Sequence, residues 1–176
     1  MATMTDTTKA LRFLDGYASI LIGKASGGAS VIELVMPQGS ESPVHAHDED
    51  ETVVLLEGEV AFRIDGAIVR PDERGKIVLP QGVPHGYRVE SADARWLSIT
   101  AGRYEGFVRS VARPLTSPPR PLDLAQAVAL TVAATEHGIE LLSPAPAAAP
   151  APRTPSLMER LHGALAPAHH WSPVAA

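Results

Sequence analysis

The chain has 176 residues, 45% of them apolar and 20% charged, with a formal net charge of −5. That is enough for one domain with an apolar core and too little for two of ordinary size, and the acidic balance offers no basic face to nucleic acid. The absence of cysteine removes disulfides, thiolate-held zinc and cysteine nucleophiles, so any metal must be held by imidazole and carboxylate.

In chain order, Met1 to Leu14 lacks a basic stretch followed by a long apolar run, and no window approaches the roughly 18 apolar residues of a membrane span. We therefore expect a cytoplasmic protein without a membrane partner, and residues 1–28 form an N-terminal segment. From Tyr17 to Thr100, short apolar runs alternate with Gly, Pro and Asp turn signals. The runs Val31–Met36, Thr52–Leu56, Val60–Ile64, Ile77–Leu79 and Trp96–Thr100 read as strands of a sandwich or barrel. Asp65-Gly66 marks a tight hairpin between Val60–Ile64 and Ala67–Arg70, and Glu57-Gly58 marks another turn. A closed or double-sheet jelly roll over residues 29–113 manages so many short strands.

After Arg113 the prolines Pro114, Pro118, Pro119 and Pro121 exclude helix interior and central strand, so the barrel is expected to end there. Asp123 caps a predicted helix to about His137, with Leu124, Ala127, Val128 and Thr131 on one face and Gly138 as the stop. This helix, within residues 114–143, is expected to pack on the barrel. Residues 144–155 (PAPAAAPAPRTP) read as an extended linker. In residues 156–176, Ser156 and Glu159 make a capping box, and Leu157, Leu161 and Leu165 share one face of a short helix. That face needs its own barrel or a second subunit to lie against, and a homodimer is expected.

Chemistry concentrates in Gly39 to Gly58, GSESPVHAHDEDETVVLLEG. If His45 to Leu55 is mostly extended, alternation sends His45, His47 and Glu51 to one face together with Val53 and Leu55. His85 follows a Pro/Gly turn at a strand start, with Tyr87 and Val89 on its side, and enters as a fourth ligand from across the sheet. Asp48 and Asp50 point the other way on this reading, and Glu49 lies solvated at a turn. His137, His162, His169 and His170 have no partners at ligand spacing for a second metal site. Glu33 interrupts an apolar strand and is either an acid lining the pocket or an outward, solvated one; Tyr87 is either pocket or core. Trp96 and Phe107 are assigned to packing.

These residues resemble the cupin superfamily. Its first motif, G-x5-H-x-H-x3,4-E-x6-G, is matched by Gly39, His45, His47, Glu51 and Gly58, and its second is matched at Pro80, Gly82 and His85. The leading glycine of the second motif is displaced to Gly75, and its terminal Asn position is Val89. The resemblance implies a mainly β cupin double-stranded β-helix with a C-terminal helical extension, paired as a homodimer. It also implies one divalent transition metal (Fe, Mn, Ni, Co or Zn) on His45, His47, Glu51 and His85. Within the superfamily, the segments HAH…DE…LLEG, VPHGYRV and EHGIELL resemble small bacterial quercetin 2,3-dioxygenase-like cupins. That implies a small-molecule substrate with an enolisable oxygen, flavonol-like or polyketide-like, dioxygen as second reactant, and Glu51 as ligand and base. Cupins also act as non-redox cyclases and isomerases or bind ligands without turnover, and these are the alternatives.

Overall fold

The structure is a computed structural model that describes residues 10–26, 28–117 and 124–142. All of these belong to the first of two units, Met1–Pro144. The prolines at 118–121, the Asp123 cap, the 144–155 linker, the Ser156 helix and His162, His169 and His170 lie outside the described residues.

Among the described residues, twelve strands form two antiparallel sheets. The first holds β1 (Ala10–Phe13), β2 (Gly16–Ile22), β3 (Ser30–Pro37), β5 (Glu51–Glu57), β8 (Lys76–Leu79), β10 (Asp93–Thr100) and β11 (Arg113–Pro114), in the order β11-β1-β2-β3-β10-β5-β8. The second holds β4 (His45–His47), β6 (Val60–Ile64), β7 (Ala67–Val69), β9 (His85–Val89) and β12 (Ile139–Leu141), in the order β12-β4-β9-β6-β7. Alternation decides what each strand buries. Ile32, Leu34 and Met36 of β3 meet Ala94 and Trp96 of β10, Val53 of β5, and Val60, Phe62 and Val89 of the opposite sheet in one core. Burial of each large side chain contributes about 1.5–3 kcal/mol.

The hairpin at Asp65-Gly66 forms as the sequence predicts. Both residues are left-handed, with φ of 48° and 81°, and Ile64 faces Ala67 in register. Such a turn matches the twist of the flanking strands. At the second turn, Gly58 has φ of 85°, and a Cβ there would lie 2.3 Å from the Asp93 carbonyl oxygen, so no other residue fits without backbone movement.

The barrel is wider than residues 29–113. β1 and β2 come from the N-terminal segment, and β12 comes from beyond the proline-rich connection to pair with β4. Each covers a strand edge that would otherwise present unpaired backbone groups, and alternation over three to seven residues outside the motif region is a weak signal. Arg113-Pro114, read as the end of the barrel, is itself a short strand on β1. A helix not foreseen, α1 (Arg103–Val111), follows β10 directly.

The second helix, α2 (Leu124–Glu136), ends at Gly138, whose φ is 72°. Its buried face differs from the expected one. Leu124 and Val128 are 82% and 55% exposed, whereas Ala133 and Ala134 are buried. Small residues let α2 approach closely: the His137 ring, just past its end, sits so near Gly106 of α1 that a Cβ there would meet Nδ1 at 2.6 Å. Hydrophobic spacing alone put the larger side chains inside. Among the described residues no helix is long and apolar enough to cross a membrane.

Candidate metal centre

The segment His45 to Leu55 is not one extended strand. It breaks at Asp48–Asp50, so β4 and β5 lie in different sheets, and Glu51 approaches the histidines from the opposite wall. The convergence expected from simple alternation is reached by another route, because the inner faces of the two sheets look at each other. His85 enters from β9, with its Cα directly opposite His45 in the β4–β9 register.

One ligand atom from each of His45, His47 and His85 lies within 4.8 Å of the others. The ring centroids of His85 stand 4.5 Å from those of His45 and 4.6 Å from those of His47. Each ring is oriented by a backbone carbonyl: Nδ1 of His45 faces Pro43 O at 2.8 Å, Nδ1 of His47 faces Glu49 O at 2.6 Å, and Nδ1 of His85 faces Val83 O at 2.8 Å. A carbonyl oxygen only accepts, so each Nδ1 carries a proton; neutral His45 and His85 keep their lone pairs on Nε2, and His47, whose Nε2 donates to Glu51 in the metal-free protein, frees its lone pair there when that proton leaves. Nε2 of His85 is buried without a hydrogen-bond partner, and Nε2 of His47 faces Glu51 Oε2 at 3.3 Å. Lone pairs turned towards one another in a buried site are costly unless a cation or proton lies among them. The three imidazoles therefore fit a single metal ion, and an all-nitrogen set with a neighbouring carboxylate suits Fe, Mn, Ni, Co or Zn.

Glu51 is buried, and its Oε1 accepts a 2.7 Å hydrogen bond from Ser98 Oγ. Burial raises its pKa, but the hydrogen bonds from His47 and Ser98 outweigh that and hold it below the usual carboxylate value. Ser98 lies on the inner face of β10 among apolar positions, which is the signal in the sequence that a buried acid stood nearby.

Burial and the charge of His45 push His85 down to about 4, and burial lowers His45 in the same way. Burial also lowers His47, but the hydrogen bond and charge of Glu51 and the Glu49 carbonyl outweigh it, and its pKa is raised. The unfolded chain takes up its histidine protons near 6.5. Between about 6.5 and about 4 the folded metal-free protein therefore lacks a proton at His85 that the unfolded chain binds, and stability falls as pH falls through that window. His45 acts in the same sense and His47 against it. We expect the urea midpoint of metal-free protein to drop between about pH 7 and pH 5, and the drop to shrink in His85→Ala.

The other sequence-marked residues are placed variously. Val53 and Tyr87 line the cavity beside the histidines, a space of about 110 Å³, together with His45, Glu51 and His85. Leu55 packs against the core from the edge and does not line this cavity. Glu33 is neither in the cavity nor solvated: it is 5% exposed on the outer face of β3, and its Oε1 accepts a 2.9 Å hydrogen bond from Arg95. Asp48 pairs with Arg103 and Asp50 accepts the Gln81 N–H, both away from the imidazoles. Glu49, expected to be solvated, is buried at 7% exposure. Its carboxylate accepts the N–H groups of Arg103 and Tyr104 at 3.3 and 2.8 Å. Gly102 begins α1 with no side chain to cap it, so an acid from another loop satisfies the free amides and the helix dipole. Trp96 and Phe107 pack in or against the core and also face the cavity. Sequence reasoning missed much of its wall, including Tyr104, Leu130, Ala134, Ile139 and Leu141, which come from α1, α2 and β12, far from the motif in sequence.

Residues 31–100 match the family model of the cupin domain, Cupin_2. The barrel has the cupin fold. A predicted oxalate decarboxylase from Thermotoga maritima has the same fold, with a TM-score of 0.50 and 18% identity over 56% of this chain and 97% of that one. A DMSP lyase from Ruegeria pomeroyi DSS-3 is 26% identical, with a TM-score of 0.45, over 50% of this chain and 47% of that one. A sugar phosphate isomerase of the cupin superfamily from Silicibacter pomeroyi DSS-3 is 22% identical, with a TM-score of 0.43, over 49% of this chain and 59% of that one. The chain thus spans about half the length of the lyase it resembles. No curated protein matches the sequence. These cupins carry different activities, and quercetinases are not singled out among them.

Proposed function

We propose that this cupin is a metal-dependent enzyme that takes a proton from a small, largely apolar, enolisable substrate, with dioxygen as the second reactant. His45, His47 and His85 would hold the metal, with Glu51 as fourth donor and proton acceptor. The observation that carries the reading is one buried carboxylate set beside three clustered imidazoles, with Glu51, His45 and His85 lining an otherwise largely apolar cavity. When bound, the metal supplies a positive charge that stabilises a substrate oxyanion. The protein does the rest. Three carbonyls hold the rings, Ser98 holds Oε1 of Glu51 and leaves Oε2, which faces Nε2 of His47, as the oxygen that takes the proton, and aromatic walls including Phe62, Trp96 and Phe107 exclude water. Exclusion of water strengthens each of these interactions. The dioxygen step is supported by the quercetinase-like segments around His45 and His85.

The test uses compounds with vicinal or 1,3-related carbonyl and hydroxyl oxygens, flavonols and aromatic polyketides first. Conversion is expected to stop under strict anaerobiosis, and labelled oxygen to enter the product. Equal conversion without oxygen would overturn the dioxygenase reading in favour of a cyclase or isomerase. Binding without conversion under either condition would make the protein a ligand-binding cupin.

A further inference from the structure

One polar group on the cavity wall is left unused by the chemistry above. The first turn of α1 is tied to the β4–β5 turn through the Glu49 carboxylate, which accepts the Tyr104 N–H at 2.8 Å. The carbonyl of the same Glu49 accepts from Nδ1 of His47. One residue therefore fixes both an imidazole of the candidate centre and the backbone of Tyr104. The Tyr104 ring rests against Phe107, with centroids 6.2 Å apart, and lines the cavity shared by His45, Glu51 and His85.

The two tyrosines of this wall differ. The Ser40 hydroxyl, which donates to Asp15, stands beside the Tyr87 hydroxyl. The Tyr104 hydroxyl makes no hydrogen bond among the described residues, and burial together with the charge of Glu51 keeps its proton in place. Phenylalanine would fill the same volume without stranding a polar group among apolar walls. A donor without a partner on a residue that lines the cavity can serve recognition, since a ligand lacking the matching acceptor leaves it unsatisfied.

We propose that the Tyr104 hydroxyl donates a hydrogen bond to a second oxygen of the substrate, whose first oxygen faces His45, His47 and His85. The site then selects small molecules with two neighbouring oxygens over those with one. This rests on the reading of the three imidazoles as a metal centre. Catechol and phenol serve as probes, titrated calorimetrically into the full chain and into Tyr104→Phe, each supplied with one equivalent of Zn²⁺ and assayed for zinc content. Catechol affinity is expected to fall at least about tenfold in Tyr104→Phe while phenol affinity changes less than about twofold and zinc content stays equal. Equal catechol affinity in the two proteins, no catechol binding by the full chain, or loss of zinc from Tyr104→Phe would overturn the proposal. A full chain that takes up no zinc yet still distinguishes catechol from phenol through Tyr104 would sink the metal reading alone.

Discussion

His85→Ala is expected to lower metal affinity at least about a hundredfold, since loss of even an outer partner of a metal ligand costs about 10–100-fold. The residue is 1% exposed and stands directly across from His45 in the β4–β9 register, with its Nε2 unpartnered. Among the described residues, His45, His47 and His85 form the one group of three or more such side chains close enough to hold an ion, so loss of His85 leaves two imidazoles. The fold itself is expected to survive, because the substitution also removes a stranded polar atom from the barrel interior. Chelator competition followed by elemental analysis measures the effect, and full occupancy in the variant would remove His85 from the centre.

Glu51→Gln separates holding the metal from moving the proton. The amide keeps an oxygen for Ser98 and is nearly isosteric, and the three imidazoles remain, so much of the metal should stay bound. The amide has no basic oxygen at neutral pH, and turnover of an enolisable substrate is expected to fall about 10²–10⁴-fold, the usual contribution of a positioned general base. Steady-state kinetics at matched metal content is the measurement. Unchanged turnover would end the proposed role of Glu51 whatever the variant's metal content.

The three clustered histidines stood out in the sequence because they match the close spacing of the cupin motifs, and the hairpin at Asp65-Gly66 because positive φ favours few residues. The path of the chain between His47 and Glu51 was not. Alternation counts parity along one strand, and it reaches the same convergence whether the strand continues or breaks at Asp48 and crosses to the facing sheet. Glu49 was misplaced for the same reason: a turn acid reads as solvated unless the free amides it meets, those of Arg103 and Tyr104, are known to lie beside it. The cavity wall from α1, α2 and β12 was invisible because it depends on long-range pairing, such as Ile139 with His47 and Leu141 with His45. On α2, spacing favoured Leu124 and Val128 as the buried face, but close packing selected the alanines.

The central claim is that three imidazoles locked on Nδ1 by backbone carbonyls present their Nε2 atoms to one metal ion. The most direct test is X-ray absorption at the edge of the metal found in protein purified without a histidine tag, together with its stoichiometry. The account predicts one divalent transition ion per chain with a first shell containing three imidazole nitrogens, reduced in His85→Ala. Protein that takes up no stoichiometric metal, or a bound metal whose first shell lacks imidazole, would contradict it.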